Sequence, residues 1–276
     1  MRIFGPDNPN VMLIGHSRNF YNGLLGNSQR LRQLGAFLLY AAPTGSFRIS
    51  LDGQNWTERT IVGLPAYTPH YLSAAENLIT TICIEPETVS DEQLIALEHR
   101  INHTPDGEML RKRVQDAKVW LQAGGDPSLF SAADFDELFL GNALGSRVVD
   151  DRIAQALNQF RAKDDDINLC AESCAQSVDL SMSRFLHLFK EETGISFRSF
   201  RAWKRARHLL HFANRDINLA HLAQDIGYPD STHFSHSIRR FYGLKPRAIF
   251  SGSRDLAIYS SGRADSDNSA WTQEAG

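Results

Sequence analysis

Two copies of one helical pattern, 49 residues apart, dominate the C-terminal half of the chain. The shift carries Phe185 onto Phe234 and Phe189 onto Ile238, so the apolar residues recur at helical spacing and share one face of each helix. The exposed stripe shifts in the same way, because Ser183, Leu186, His187 and Lys190 fall on Thr232, Ser235, His236 and Arg239. The sequence therefore predicts two matching short helices, each with a buried face and a polar stripe.

A second short helix and a tight turn are predicted before each copy. Asn168 and Asn218 are suitable N-caps for these preceding helices, since an Asn side chain accepts a hydrogen bond from the first free N–H groups. The pattern then places a small residue where two helices cross, a residue that tolerates a left-handed backbone at the turn, and a new N-cap. The small residues are Ala175 and Ala223, and the turn residues are Asp179 and Gly227. The new N-cap is Ser181 in the first copy and Asp230 or Ser231 in the second.

Helix, tight turn and helix make up the helix-turn-helix motif, whose second helix enters the DNA major groove. One such match is a weak signal, because any short helical hairpin imitates it. Two matches in register within about 100 residues are a strong one. The alternative is an all-helical bundle whose polar stripes are merely solvated.

The segment resembles the AraC/XylS transcription regulators over roughly residues 148–250. Ser181–Ser196 is similar to their first reading helix and the turn after it, and Phe200–Leu210 to their long connecting helix. Asp216–Tyr228 resembles their second scaffold helix, and Phe234–Pro246 their closing signature. The chain departs from the family at His236, where Arg is usual, and at Ile238, where Phe is usual. These departures leave the fold as expected but do not allow the target sequence to be inferred by analogy.

The resemblance implies a sequence-specific transcription regulator that binds double-stranded promoter DNA, and favours an activator that recruits RNA polymerase. Arg reads guanine well, Ser and Thr are tolerant donors, and Leu186 is placed to contact a thymine methyl. Lys190, Arg239 and Arg240 are expected at phosphates, whereas His187 and His236 are equally well read as base readers or as surface side chains. The predicted DNA-binding residues are Ser181, Ser183, Arg184, Leu186, His187, Lys190, Ser231, Thr232, Ser235, His236, Arg239 and Arg240.

Charge is distributed in agreement with this prediction. Residues 148–252 contain 15 Lys and Arg against 12 Asp and Glu, whereas residues 1–147 contain 12 against 16. Within Ser196–His208 there are five cations and no acid, and we expect these cations either to touch phosphate or to pair with acids of the same domain. A connecting helix over Phe197–Phe212 would be about 24 Å long. It would hold the reading helices about one DNA turn, roughly 34 Å, apart, so one monomer would read two successive major grooves.

Residues 1–104 are predicted to contain short β-strands between turns. Val11–Gly15, Phe37–Ala41, Gly45–Leu51, Thr60–Leu64 and Asn77–Ile84 fit strand patterning, and Asp52-Gly53 is a strong hairpin turn. The layout and the segment Ala66–Tyr71 loosely resemble the cupin-like sensor domain that AraC/XylS regulators often carry. The predicted fold is therefore α+β in two domains, an N-terminal β-rich cupin-like barrel with helices and a C-terminal all-α double helix-turn-helix domain.

A metal-dependent cupin enzyme must be weighed against a sensor. Metal-binding cupins need closely spaced His ligands, and the region contains no His-x-His motif. His99 and His103 are four residues apart on a predicted helix but lack a third ligand at a useful spacing. We therefore expect no metal, no cofactor and no enzymatic activity.

A sensor would instead bury a small-molecule effector against apolar walls, for which the candidates are Tyr40, Phe47, Trp56, Tyr67, His70 and Tyr71.

The predicted domains are a sensor and dimerisation domain over 1–127, with a barrel over 1–89 and helices over 90–123, and a DNA-binding domain over 147–251. Ser90–Asn102 and Asp106–Gln122 are predicted amphipathic helices that either pack on the barrel or, as we favour, form a homodimer. Residues 128–146 are predicted to be a linker with a helical turn at Asp134–Leu140, and residues 252–276 a disordered tail.

The location and control of the protein are also open to prediction. The sequence has no signal peptide, no apolar run long enough for a membrane span and three cysteines, so we expect a cytoplasmic protein without membrane partners. Two alternatives to an effector-responsive regulator remain. One is a DNA-binding regulator without a small-molecule ligand, controlled by its abundance or by a protein partner. The other is a cupin-type enzyme with an attached DNA-binding domain.

Overall fold

The fold is that of a computed structural model, which describes residues 10–25, 30–74, 76–162 and 169–261. Strands β1 to β8 come first, at Val11–Ile14, Arg18–Leu24, Phe37–Ala41, Phe47–Ser50, Thr57–Arg59, Ile61–Leu64, Tyr71–Ala74 and Leu78–Ile84. Helices α1 to α10 follow, at Asp91–His103, Asp106–Gln122, Ala132–Leu140, Asp151–Ala162, Ala171–Gln176, Met182–Thr193, Phe197–His208, Leu219–Asp225, Ser231–Tyr242 and Pro246–Gly252. Strand β9 comes last, at Ala257–Ser260. An N-terminal β-rich region and a C-terminal helical region are thus present, as the sequence predicts.

The strands form two sheets. The larger has the order β6-β3-β8-β2-β1-β9 and the smaller the order β5-β4-β7. All pairings are antiparallel except that of β1 with β9, which is parallel. Strand β3 has all five residues buried, because Phe37, Leu39 and Ala41 face one hydrophobic core and Leu38 and Tyr40 the other. The larger sheet is therefore covered on both faces.

Helices α1, α2 and α3 cover one face of the larger sheet. Apolar residues of all three helices join the core formed by β1, β3 and β8, and Phe139 of α3 stacks on Phe20 of β2 with ring centroids 4.7 Å apart. Arg18 of β2 forms a buried bidentate ion pair with Asp136 of α3, with Nε 2.7 Å from Oδ1 and Nη2 3.0 Å from Oδ2. The helical turn predicted at Asp134–Leu140 within the linker is a helix over Ala132–Leu140, and its apolar face completes this core.

The predicted tail is also partly ordered. Ala257–Ser260 forms β9, which pairs with β1 from Val11↔Ala257 to Ile14↔Ser260. The prediction of disorder from residue 252 onward is therefore wrong for this segment, since a partner strand near the other end of the chain satisfies its backbone. Residues 262–276 lie outside the described part of the chain. In the part that is described, no helix combines the length and the apolar character that crossing a membrane requires.

Candidate DNA-binding surface and interdomain cavity

The first helix-turn-helix unit is formed by α5 and α6. The turn between them has Asp179 in the left-handed region, with φ of 53°, and the buried Ala175 lies close to the turn. The hydroxyl of Ser181 caps α6 by accepting from the backbone N–H of Arg184 at 3.3 Å. The predicted cap Asn168 lies outside the described residues, and α5 begins after Cys170, whose side chain is its N-cap.

The second unit is formed by α8 and α9 and repeats this geometry. Gly227 at the turn has a φ of 77°, and Ala223 is fully buried. Asn218 caps α8, and a carboxylate oxygen of Asp230 accepts from the N–H groups of Thr232 and His233 at 2.8 Å. Of the two caps predicted for α9, the structure uses Asp230. The 49-residue repeat in the sequence is therefore a repeat in three dimensions.

Each reading helix exposes its polar stripe to solvent. On α6, Ser181, Ser183, Arg184, His187 and Lys190 are exposed, and on α9, Ser231, Thr232, His236, Arg239 and Arg240 are exposed. Leu186 and Ser235 are half-buried, and Leu186 packs against the core of the first unit. The buried faces consist of Phe185, Leu188 and Phe189 on α6 and of Phe234, Ile238 and Phe241 on α9. The stripes are accessible to a DNA duplex.

Two exposed histidines of these helices have acidic neighbours. His187 Nδ1 lies 3.6 Å from a carboxylate oxygen of Glu191, one turn later on α6. His233 Nδ1 lies 2.7 Å from the second carboxylate oxygen of the cap Asp230. Both histidines remain about 70% exposed, so the side chains stay available at the surface.

The cations of the connecting helix α7 face in different directions. Arg198 is exposed, whereas Lys204 and Arg207 are largely buried against the sheet region. Lys204 pairs with Glu85 and Glu87, and Arg207 with Glu85. Lys204 and Arg207 thus pair with acids of the other domain, an arrangement that the sequence did not suggest. The helix itself ends at His208, and a 3-10 turn at Leu209–Phe212 extends it.

An extensive apolar seam joins the second helix-turn-helix unit to the sheet region. One hydrophobic core contains Leu34, Tyr40 and Leu72 from the sheet region together with Trp203 from α7 and Phe241 from α9. Gly35 allows this approach, because a Cβ atom built there would lie 2.5 Å from the Trp203 ring. The second unit therefore shares its core with the sheet region.

The end of α9 is hydrogen-bonded across the same seam. The backbone N–H of Gln33 donates to the carbonyl oxygen of Arg240 at 3.0 Å, which satisfies a carbonyl that the helix itself leaves free. Gly243 ends α9 with a φ of 68°, and an added Cβ would lie 2.9 Å from Cγ of Arg32. The segment 30–34 is therefore in direct contact with the second reading helix.

A cavity of about 460 Å³ lies along this seam, and its walls come from both halves of the chain. Leu25, Tyr40 and Ile79 contribute from the sheet region, and Leu210 and Ile249 from the helical region. Three cationic residues, Arg30, Arg32 and Lys245, also line it. The cavity has the size and the mostly apolar walls of a small-molecule site, for which volumes of about 300–1,000 Å³ are typical.

Arg32 is the unusual group in this cavity wall. It is 7% exposed, and a terminal nitrogen donates to the carbonyl oxygen of Leu25 at 3.1 Å, while its Nε has no hydrogen-bond partner in the described part of the chain. Burial lowers the pKa of this guanidinium, and the neighbouring Tyr40 and Tyr21 act in the opposite direction. Among the described residues, none offers Arg32 a carboxylate. A buried cation that has no counter-ion among the described residues is costly, so this part of the cavity favours an anion.

Of the six predicted pocket residues, one lies in the wall of this cavity and five do not. Tyr40 lines the cavity, and its hydroxyl donates to Nε2 of His70 at 3.0 Å, because Nδ1 of His70 donates to the carbonyl oxygen of Thr68 at 2.8 Å. Phe47 is buried in the core, and Trp56 and Tyr71 lie side by side with ring centroids 6.4 Å apart. Tyr67 adopts a left-handed φ of 60°. Phe47, Trp56, Tyr67, His70 and Tyr71 are absent from the cavity wall, which uses residues from distant parts of the chain.

The side chains with metal-binding chemistry are scattered. His99 and His103 lie on the exposed side of α1 with ring centroids 5.4 Å apart. Cys174 is buried in the first unit, whereas Cys170 serves as a helix cap. Within the described ranges, no three His, Cys, Asp or Glu side chains are grouped so as to hold a metal ion.

Comparisons with known proteins support the helical region most directly. A family model described as a helix-turn-helix domain matches residues 174–251. The arabinose operon regulatory protein of Escherichia coli is 30% identical over 105 residues, covering 38% of this chain and 36% of that protein. The transcriptional activator RhaS of Escherichia fergusonii is 34% identical over 90 residues, covering 32% of this chain and 31% of that protein. The matched segment thus spans about a third of the length of these relatives.

A solved structure has a similar fold over most of the chain. The crystal structure of an apo variant of ToxT from Vibrio cholerae aligns with a TM-score of 0.50 at 11% identity, and covers 86% of this chain and 97% of that chain. At this identity the likeness concerns the fold alone. The chain therefore contains a helix-turn-helix domain over residues 174–251, and over about a third of its length it is similar to two transcription regulators.

Proposed function

We propose that the protein is a sequence-specific transcription regulator that places α6 and α9 in two successive major grooves of promoter DNA. The observation that carries this proposal is the exposure of both polar stripes. They remain open to solvent although the second unit is docked on the sheet region, so the docked arrangement does not cover the reading faces. The regulatory role of the relatives, an arabinose operon regulator and an activator, is consistent with it.

The test is selection of duplexes from a random DNA pool by the purified full chain, followed by affinity measurements on the selected site. Inserting five base pairs between the two contacted segments rotates one segment by half a helical turn away from its reading helix. We expect the affinity to fall towards the non-specific level, a loss of about 10³-fold or more. Equal binding to all duplexes, or tolerance of the insertion, would refute two-groove reading.

We propose further that the interdomain cavity is the effector site and that its ligand is a molecule with an apolar body and one anionic group. The apolar walls favour burial of the body, and Arg32 provides the buried cation that needs a counter-ion. Asn19 adds a buried amide Nδ2 without a hydrogen-bond partner, which suits an acceptor oxygen of the ligand.

Such a ligand would touch both halves of the molecule. It would stabilise the arrangement in which the halves are docked, and DNA binding would change to the extent that the DNA-binding state differs from that arrangement. The direction of this effect, activation or repression, and recruitment of RNA polymerase are parts of the proposal that follow from the family alone. A cytoplasmic location, expected from the sequence, is also part of the proposal.

Thermal unfolding with three probes tests the effector site. Decanoate has both the anion and the apolar chain, decanol lacks the anion, and acetate lacks the chain. We expect decanoate to raise the melting temperature and the two partial probes to have little effect, because a ligand of the folded state stabilises it. Arg32→Gln should remove the decanoate effect, whereas Arg59→Gln, at an exposed strand position, should retain it. If decanoate has no effect on the wild type, a regulator controlled without such a ligand is favoured.

Homodimerisation through α1 and α2 remains part of the proposal. Ile95 on α1 and Met109 and Val119 on α2 are large apolar side chains that are 62–70% exposed, and an interface between two copies would bury them. A sedimentation measurement of the wild type and of the Ile95→Glu variant tests it, since a charge in an apolar interface should shift a dimer to the monomer.

A further inference from the structure

Four charged side chains meet at the seam between the two halves of the molecule. Glu85 follows β8 and Glu87 lies in the 3-10 turn after it, whereas Lys204 and Arg207 belong to α7. Lys204 Nζ lies 2.8 Å from a carboxylate oxygen of Glu87 and is also paired with Glu85, and Arg207 Nε lies 3.5 Å from Glu85. The acids are 1–3% exposed and the cations 12–18%. These four residues are called the interdomain charge cluster below.

The cluster differs from the apolar part of the seam in being directional. Apolar contacts such as that of Trp203 on Gly35 favour burial but do not define one relative orientation. Buried ion pairs add little net stability, because desolvation offsets their attraction, yet separating one partner from the other is costly. Two acids facing two cations therefore favour one docking geometry over others that bury a similar apolar area.

A single amide side chain joins this cluster to the cavity. Oδ1 of Asn19 accepts a hydrogen bond from Arg207 at 2.9 Å, and the same guanidinium donates to the carbonyl oxygen of Gly15. Nδ2 of Asn19 is buried without a hydrogen-bond partner, and Asn19 lines the cavity. An acceptor placed in the cavity near Nδ2 would hold the amide with its oxygen towards Arg207.

We propose that the interdomain charge cluster positions the DNA-binding half on the sheet half, and that Asn19 transmits the occupancy of the cavity to it. The second part rests on the proposed effector site. The cluster fixes the orientation of α7, which carries both helix-turn-helix units, and a ligand acceptor at Asn19 reinforces the bond to Arg207. The residues of the cluster are positioning residues, since they need not touch ligand or DNA.

The first experiment needs no ligand and compares hydrogen exchange in the full chain. We expect Glu85→Gln with Glu87→Gln to raise exchange of the amides in Trp203–Phe212 at least about tenfold, with α5 and α6 unchanged. Unchanged exchange at Trp203–Phe212 in the variant would overturn the proposal. An equal rise of exchange in α5 and α6 would also overturn it, because it marks general destabilisation.

A milder variant and a matched control guard against failure to fold. Arg207→Lys keeps the charge but loses the planar fork that reaches Asn19, Gly15 and Glu85 together, so it should raise exchange at the same amides less strongly. Glu98→Gln removes an acid from α1, outside the cluster, and should leave exchange at the seam unchanged.

The second experiment measures DNA affinity with and without decanoate and takes their ratio. In Asn19→Ala we expect decanoate to bind about fivefold more weakly, through loss of one hydrogen bond, and the ratio at saturating decanoate to fall to about one. Thr81→Ala, which alters the cavity wall without touching Arg207, should keep the ratio of the wild type. An unchanged ratio in Asn19→Ala would overturn the role of Asn19.

The two proposals fail in distinguishable ways. If decanoate does not alter DNA affinity in the wild type, the effector site and the role of Asn19 are both rejected. The hydrogen-exchange result then still decides whether the charge cluster positions the DNA-binding half.

Discussion

The two helix-turn-helix units share one sequence pattern but are embedded differently in the molecule. The first has a core of its own, in which Phe185, Phe189, Phe197 and Phe200 pack together. The second shares its core with the sheet region through Trp203 and Phe241. A repeat in the chain therefore does not imply equal mechanical independence. The unit that shares a core can respond to events in the sheet region, whereas the other is linked to it through α7 and surface contacts such as the Arg147–Asp91 ion pair.

The largest expected effects come from truncating one buried aromatic ring in each unit. Phe189→Ala and Phe241→Ala should each lower the free energy of unfolding by about 3–5 kcal/mol, because both rings are buried. The two variants should differ in their effect on decanoate binding. Phe241→Ala should abolish decanoate binding, since it loosens the seam beside the cavity, whereas Phe189→Ala should retain it. Denaturant unfolding and calorimetric titration measure the two effects, and loss of binding in both variants would show that the units are equally coupled.

Two glycines at equivalent positions sharpen the comparison. Gly194 and Gly243 both have a left-handed backbone, for which an added Cβ costs about 1–2 kcal/mol. At Gly194 the added atom meets nothing within 4 Å, whereas at Gly243 it would press on Arg32. Gly243→Ala should therefore destabilise the chain more than Gly194→Ala and weaken decanoate binding as well. Equal destabilisation measured by thermal unfolding would contradict the contact with Arg32.

A lower pH should reduce the stability of the fold through His70, on the sheet side of the seam. Burial lowers the pKa of His70 to about 4, although the bond to Thr68 opposes this shift. Because the folded pKa lies below the usual value of 6.5, the unfolded chain binds the proton first and stability falls as the pH drops from 6.5 towards 4. At pH 5 the loss from this residue is about 2 kcal/mol. The pH dependence of unfolding should be flatter by this amount in His70→Gln, and parallel curves would show that His70 is not the group concerned.

The smallest effects concern reading of the DNA. His187 and His236 occupy equivalent exposed positions on α6 and α9. Where a histidine makes one contact to a base edge, His→Ala should cost about 1 kcal/mol at a single base position, the lower end of the range for base contacts. A uniform loss over all duplexes would indicate phosphate contact instead. Affinity profiles over single-base variants of the selected site separate the two outcomes for each helix.

The local features of the fold were predictable from the sequence. Caps, tight turns and apolar spacing depend on neighbours within a few residues, and Ser181, Asp179 and Gly227 occupy the predicted roles. The strands with clear apolar patterning were predictable for the same reason. Strand β2 was missed because its buried Arg18, Asn19 and Asn22 interrupt that patterning, and Arg18 is satisfied by Asp136, 118 residues later.

The features that depend on distant partners were not predictable. The cations at 204 and 207 gave no sign that their partners were Glu85 and Glu87, more than a hundred residues earlier. The cavity was missed for the same reason, because its wall combines strands with α10 and the end of α9. The predicted DNA-binding side chains were found by periodicity, and their exposure agrees with that role without testing it.

The return of β9 to the sheet restricts how the DNA-binding half can move. This half leaves the sheet region after α3 and comes back at Ala257, where β9 lies alongside β1. The DNA-binding half is thus attached to the sheet region by two chain connections, one at each end. While β9 stays paired with β1, the DNA-binding half can move only over a short distance. A larger movement requires β9 to separate from β1 first.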